Sequence, residues 1–541
     1  MLERPIVGIA TAGGGFNNCH RLTPELVTAV SRGVLGAGGL PLEFPTISLG
    51  EPFLTPTSLV FRNLMAMDVE EMIRAQPMDA VVLIGGCDKT VPAQLMGALS
   101  AGKPAISLVV GPMMTGSFEG VRLGACTDCR AWWARYRAGE LSDERIGEVE
   151  SNLATTAGTC AVMGTASTMA CVTEALGMSL PGAATPPAVH AERLRVAEAT
   201  GARAVALAAE NLTPDRIVTR ASVENALRVL LAIGGSTNAI IHLTAIAGRL
   251  GITLTLAHLN EISATTPVLV NLKPVGDHYM EHFHAAGGVG ALLRELAPLL
   301  QLDAATVAGE TLGERLSHVP AYVGRDVIRS AAEPLVERDA LVALFGNLAP
   351  NGAILKAAAA DARLMEHEGR AVVFTSLADM SARIDEPDLD VEPDDVLVLQ
   401  NAGPIGAGMP EAGYLPIPKK LLARGVRDML RISDARMSGT AYGAVVLHVS
   451  PEAAIGGPLA AVRTGDRIRM SLRDKRLDLL LSDAEIADRL REFARVSSPS
   501  RGYAKLYNEH ILGAERGCDF DFLMMDPSVG PASETSGAGT V

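Results

Sequence analysis

The segment GGCDKT, Gly85 to Thr90, sets a thiol, a carboxylate and an amine side by side directly after the apolar run AVVLI. A thiolate is a soft ligand and a carboxylate a hard one, so Cys87 and Asp88 could serve two different metals from one stretch of backbone. Two more cysteines share this setting: Cys19 in FNNCH, after IVGIA, and Cys160 in TAGTCAVMG, before TASTMACVTEALGM. Each lies among small residues that let a bound group approach the backbone. None has the paired short spacing of a structural zinc site, so the residues alone leave two readings, ligands of a soft centre or small buried hydrophobes. Cys126 and Cys129 form a CxxC in RLGACTDCRAWW, with Arg122 and Arg130 close in sequence as charges that could stabilise a thiolate. Redox chemistry, metal binding and coincidence all stay open for that pair. Cys171 and Cys518 read as core.

Glu51 in PTISLGEPF and Glu411 at the end of NAGPIGAGMPE join Asp88 as carboxylates on strand-end loops. Such groups can hold magnesium, which takes oxygen ligands, or can simply cap and solvate a loop. Lys89 could pair with them, bind an anion, act as a base if burial lowers its pKa, or become an oxygen ligand by adding carbon dioxide as a carbamate. Ser438 sits in RISDARMSGTAYGAVVLH just before an apolar strand. It is a turn residue unless something ionises its hydroxyl, as metal coordination can. Other chemistries lack their patterns: there is no GxSxG elbow, TAGGG at Thr11–Gly15 is not GxGxxG, and His278 with His282 is not HExxH and reads as a helix end.

The elements that must position these residues follow from periodicity. PIVGIA, PLEFPTI, AVVLIGG and PAISLVV read as buried strands, with TPELVTAVSRGVLGAG and SLVFRNLMAMDVEEMIRAQ as helices between them. SVENALRVLLAIGGSTNAIIHLTAIAGRL reads as a helical pair broken at Gly234 and Gly235, and residues 251–330 as helices with loops. From about residue 335 short β-like runs take over. A chain of 541 residues exceeds what one core serves. The expected class is therefore α/β, with a layered α/β domain over 1–335 carrying the cysteines and part of the carboxylate set. A mainly β, barrel-like domain over 336–541 would carry Glu411 and Ser438, and PSVGPASETSGAGTV would be a mobile tail.

Bulk charge narrows the partners. A net charge of -14 without a basic stripe argues against nucleic acid, and no apolar run of 18 residues suggests a membrane span. With no signal-peptide pattern either, the cytoplasm is the expected location, and seven scattered cysteines fit reduced thiols or metal ligands better than a disulfide framework. A small metabolite is the expected partner.

Taken together, the motifs resemble the dihydroxy-acid and sugar-acid dehydratase family, which includes the phosphogluconate dehydratases. The resemblance runs nearly end to end, through NNCH, GGCDKTVPAQLMGA, GTCAVMGTASTM, GGSTNAIIHL, GNLAPNG, NAGPIGAGMPE, ISDARMSGTAYGAVVLHVSPEAAIGGPLA and GCDFDFL. It implies an iron–sulfur cluster on Cys19, Cys87 and Cys160, of the 2Fe–2S type favoured in the sugar-acid branch, with 4Fe–4S as the alternative. It further implies magnesium on Glu51, Asp88, carbamylated Lys89 and Glu411, with Ser438 as the catalytic base. The implied reaction turns a 2,3-dihydroxy carboxylate into a 2-keto-3-deoxy acid, with a homodimer or homotetramer as the assembly. RGYAKLYNEHILGAERGCDFDFL resembles the sugar-acid branch, with Tyr503, Lys505, Tyr507, Asn508 and His510 as a polar supply for a pentonate or hexonate. Dihydroxyisovalerate is the alternative substrate. The CxxC departs from the SxTD-like text usual there, and a thiol oxidoreductase centred on it is the competing class.

Overall fold

The computed structural model describes residues 4–491, 493 and 499–525, so the expected mobile tail lies outside the described residues. Strands β1 (Ile6–Thr11), β2 (Leu40–Pro45), β3 (Ala80–Gly85) and β4 (Ala105–Val109) form a parallel sheet in the order β2-β1-β3-β4. Every residue of the central run AVVLIG is buried, as a strand covered on both faces requires. LPLEFP behaves differently from the buried strand expected, since only Phe44 is buried. It is the sheet edge, where Pro41 and Pro45 withhold no ladder hydrogen bond that a neighbour needs.

Helices α1 (Thr23–Gly36), α2 (Arg62–Ala75) and α3 (Thr90–Ala101) make the crossovers between these strands. A hairpin of β5 (Gly116–Phe118) and β6 (Val121–Leu123) leads into α4 (Thr127–Arg137) and α5 (Asp143–Ser151). All eleven residues of α6 (Thr165–Ala175) are buried, and α7 (Ala191–Glu210) packs along α1. The expected helical pair is α8 (Arg220–Ala232) and α9 (Asn238–Gly248), parted at Gly234, whose φ of +56° suits a residue without a Cβ.

The second sheet has eight strands: β7 (Val342–Leu344), β8 (Gly352–Leu355), β9 (Glu366–Phe374), β10 (Val396–Leu399), β11 (Arg431–Ser433), β12 (Val445–Ser450), β13 (Arg467–Ser471) and β14 (Arg476–Leu479). Their order is β14-β13-β9-β10-β11-β12-β8-β7, with β9 to β12 parallel. Phe345, one residue beyond β7, bridges to Arg476 at the start of β14, which brings the two edges together into a nearly closed barrel. Closure removes the free edges that a sheet of this size would otherwise expose. The period-2 alternation shows how: Val396 and Val398 join Ala371, Val373, Val342 and Leu344 in the interior, while Leu397, Leu399, Val372 and Phe374 form a separate outer cluster. β11 and β14 escape a sequence reading because RIS is too short and RLDL too charged to show a strand period.

Gly33 and Gly201 fix the α1–α7 crossing, since an added Cβ at either would collide with a backbone carbonyl of the facing helix, Glu198 or Val30. Gly201→Ala should lower stability by about 1–3 kcal/mol despite alanine's better helix propensity. Equal or higher stability of the variant in chemical denaturation would contradict this packing.

Candidate active site

Both sheets aim the carboxyl ends of parallel strands at one place. Cys19 follows β1, Glu51 follows β2, and Cys87, Asp88 and Lys89 follow β3. Beyond β4, a bridge from Pro112 to Thr159 sets the position of Cys160. The chain order reverses between β1 and β3, the kind of switch point where open parallel sheets leave a crevice for ligands. From the barrel, the loop after β10 brings Glu411 and the loop after β11 brings Ser438.

Carboxylate oxygens of Glu51, Asp88 and Glu411 lie within 4.8 Å of one another. Two fully buried cations hold them. Lys89 Nζ lies 2.6 Å from Asp88 Oδ2 and 3.1 Å from Glu51 Oε2, while Arg436 reaches Glu411 Oε1 at 2.6 Å and Glu51 Oε1 at 2.7 Å. Thr57 accepts from Arg436 at 2.8 Å, and Ser58 donates to Glu51. Burial pushes the Glu51 carboxyl up, but Arg436, Lys89 and Ser58 together outweigh it and hold the pKa at about 2. Burial and Arg436 push Lys89 down, yet Asp88, Glu51 and Glu411 leave it above the usual lysine value. For Glu411 burial wins over Arg436, and its pKa is raised. Three hard oxygen donors fit magnesium by ligand chemistry, and the ammonium of Lys89 occupies part of the space between them.

The cysteine turns are tied together by His20 and Asn17. His20 Nδ1 lies 2.8 Å from the Ala12 carbonyl, and Nε2 accepts from the backbone N–H groups of Gly86 at 3.0 Å and Cys87 at 3.2 Å. Those bonds need the neutral ring, and burial keeps it so by lowering the pKa to about 4. Asn17 accepts from Cys19 N at 3.0 Å and donates to the Leu49 carbonyl at 2.7 Å, two residues before Glu51. Cys19 and Cys87 act directly on each other, raising the Cys87 thiol, with burial adding to the effect. Cys160 feels Cys126 most, then burial, then Cys19 and Cys87. The three thiols fit a cluster whose several irons spread the ligands.

Ser438 Oγ lies 2.8 Å from Thr440 Oγ1. Its turn presses on the start of α6: a Cβ added at Gly439 would come within 2.7 Å of Thr165 N and of Ser236 Oγ. The positive end of the α6 dipole therefore faces the serine turn, which favours an ionised hydroxyl.

Several expectations change. Arg122 pairs with Glu281 instead of serving the CxxC, whereas Arg130 does act on Cys126 and Cys129. Cys126 stands beside Cys160 as well as Cys129, which together with Arg130 lower its pKa against burial. His278 and His282 stack edge to face, and His282 accepts from Tyr279 N at the helix start. Of the C-terminal polar residues, Tyr503 donates to the Val60 carbonyl, Lys505 pairs with Glu509 and His510 with Asp521. Tyr503 thereby braces the segment after Thr57 and Ser58 from outside. Cys171 and Cys518 are core, as expected. His20 and Arg436 hold the cysteine turns and the carboxylates together, a part to which the sequence reading assigned neither, although both stand inside quoted motifs, NNCH and ISDARMSG.

A carboxylate triad, a cysteine trio and a serine thus stand on facing strand ends. The chain belongs to the dihydroxy-acid/6-phosphogluconate dehydratase family, matching its N-terminal domain over residues 4–315 and its C-terminal domain over residues 326–518, and is a dehydratase. It is 45% identical over 534 residues to a 6-deoxy-6-sulfo-D-gluconate dehydratase of Pseudomonas putida, covering 98% of this chain and 92% of the other. It is 46% identical over 524 residues to an L-arabinonate dehydratase of Rhizobium leguminosarum bv. trifolii, covering 96% and 90%. A dihydroxy-acid dehydratase of Caldanaerobacter subterraneus is 38% identical over 529 residues, covering 96% and 94%.

Replacing Arg436 with Met leaves Glu51 and Glu411 buried without their guanidinium and should cost about 3–5 kcal/mol. Glu51's folded pKa lies below its ordinary 4.5, so its stabilising contribution is present above pH 4.5 and is lost as pH falls toward 2. Denaturation of parent and variant between pH 5 and pH 3 should show a flatter acid limb in the variant. Parallel limbs would contradict the pairing.

Proposed function

We propose that the protein dehydrates a sugar acid, a 2,3-dihydroxy carboxylate, to a 2-keto-3-deoxy acid. The observation that carries this reading is the convergence of Ser438 with Glu51, Asp88 and Glu411 and with Cys19, Cys87 and Cys160 on facing strand ends. The names of the relatives favour a sugar acid, since those at 45–46% identity act on gluconate-type and arabinonate substrates and the dihydroxy-acid dehydratase stands at 38%.

In this reading Cys19, Cys87 and Cys160 hold an iron–sulfur cluster, and Glu51, Asp88 and Glu411, with Lys89 as a carbamate, hold magnesium. When bound, the two centres supply Lewis acidity toward the substrate's oxygens. Ser438 takes the proton from C2, helped by the Thr440 hydroxyl and by the positive end of α6. The hydrogen from C2 and the hydroxyl from C3 leave together as one water, giving an enol whose hydroxyl proton ends on C3 as the ketone forms. Arg436 keeps Glu51 ionised and aims both Glu51 and Glu411. His20 and Asn17 hold the Cys19 turn against Cys87 and the Glu51 loop.

The test is formation of keto acid by anaerobically purified enzyme with magnesium over pentonates, hexonates and 2,3-dihydroxyisovalerate. Turnover of a sugar acid is expected, and preference for dihydroxyisovalerate would contradict the substrate class. Ser438→Ala should lower kcat by about 100-fold or more with little change in KM. A near-normal kcat would remove Ser438 from the mechanism.

A further inference from the structure

Between α4 and the chain after Glu411 lies a cavity of about 390 Å³ whose wall includes Glu411 itself. Through Glu411 it adjoins the carboxylate centre. From α4 come Arg130, Trp133 and Arg137, all on one helical face, and opposite them stand Tyr414, Arg427 and Tyr442. Two of the three arginines are already engaged: Arg137 with Asp385, and Arg427 with Glu140 at 3.6 Å. Arg130 is different. Among the described residues its side chain makes no hydrogen bond and no ion pair with a carboxylate, its charge acts on the neighbouring Cys126 and Cys129 thiols, and its buried Nε has no partner. Its guanidinium lies 4.9 Å from the centroid of the Tyr414 ring, with Arg431 at the same distance from that ring.

The place over the Tyr414 ring engages the Arg130 guanidinium as a cation and leaves its side-chain N–H groups without a hydrogen-bond acceptor among the described residues. A rigid planar fork of this kind is suited to an oxyanion, which can take two of its hydrogen bonds at once. Elsewhere the cavity wall is largely apolar, through Leu415, Pro416 and Leu422, and offers a polyol few partners. One ionic contact is therefore the strongest recognition the cavity can provide. The substrate's C1 carboxylate belongs at the carboxylate centre, so the Arg130 fork meets the other end of the molecule.

We propose that Arg130 is a specificity-determining residue that receives a second anionic group, a terminal carboxylate, phosphate or sulfonate, at the end of the sugar acid remote from C1. This rests on the dehydratase reading above. It places the enzyme's preference among doubly charged acids rather than neutral-ended aldonates.

The experiment compares kcat/KM of the anaerobic, magnesium-supplemented holoenzyme for gluconate, 6-phosphogluconate, 6-deoxy-6-sulfogluconate and glucarate. At least one doubly charged acid should exceed gluconate by about 10-fold or more, mainly through KM, and which one identifies the terminal group. In Arg130→Gln that ratio should fall by about 10-fold or more, with Arg130→Lys in between because it keeps the charge without the fork. A preference for gluconate in the parent, or an unchanged ratio in Arg130→Gln, would overturn the proposal. Trp133 supplies a readout independent of turnover, since 6-phosphogluconate should change tryptophan fluorescence saturably in the parent and not in Arg130→Gln. Saturation at equal concentration in both would also overturn it. Absence of turnover on all four acids, together with pentonates, would instead sink the sugar-acid reading above.

Discussion

Three carboxylates and two cations are buried together where the two sheets meet, and the rest of the architecture serves that concentration of charge. Burying ions costs several kcal/mol each unless every one is paired. Glu51, Asp88 and Glu411 against Lys89 and Arg436 leave one negative charge in excess, which gives the site an appetite for a further cation. Conversion of Lys89 to a carbamate would sharpen that appetite, because a cation in the middle of the group would become a fourth oxygen donor. Arg436 alone would then remain to hold the acids in place. The same side chains thus account for how the protein tolerates the site and why the proposed magnesium would bind there.

That charge cluster can exist only because separate parts of the chain deliver it. Glu51, Asp88 and Lys89 come from the parallel sheet, Glu411 and Arg436 from the barrel, and the sheet's two acids share one lysine until Arg436 reaches across to Glu51. Strand ends are good mounts because the hydrogen-bonded ladder behind them is rigid. Asp434, between β11 and Arg436, accepts from the backbone of Ala402 and Ala453 at 3.0 and 2.9 Å, and so ties the loops after β10, β11 and β12 into one platform. On the other side His20 and Asn17 do the same for the turns carrying Cys19, Cys87 and Glu51. Gly439 lets the two halves close on each other at the point where Ser438 must stand.

Much of this was legible from residue types. Apolar runs of four to six residues marked β1, β3, β4, β10 and β12, because strands covered on both faces need no polar alternation. The adjacency of Cys87 and Asp88 pointed to soft and hard chemistry side by side before any contact was known. What stayed hidden depends on distance along the chain. Nothing local to ISDARMSG says that Arg436 spans 385 residues to Glu51. Nothing in NNCH says that His20 caps the turn before Cys87. Closure of the barrel through Phe345 and Arg476 was equally invisible, and the polar C-terminal helix looked like a substrate wall when its partners are Val60, Glu509 and Asp521. The cavity beside Arg130 arises from α4 and the 411–427 chain together, so the CxxC text offered Arg130 only as a charge for its thiols and gave no sign of the cavity.

The central claim is that a soft centre and a hard centre share the strand ends of one crevice, Cys87 and Asp88 being their adjacent mounts. Anomalous diffraction at the iron edge from anaerobically grown crystals addresses it most directly. The account predicts a strong iron peak enclosed by Cys19, Cys87 and Cys160. Absence of iron there, or a peak held by Cys126 and Cys129 instead, would contradict it.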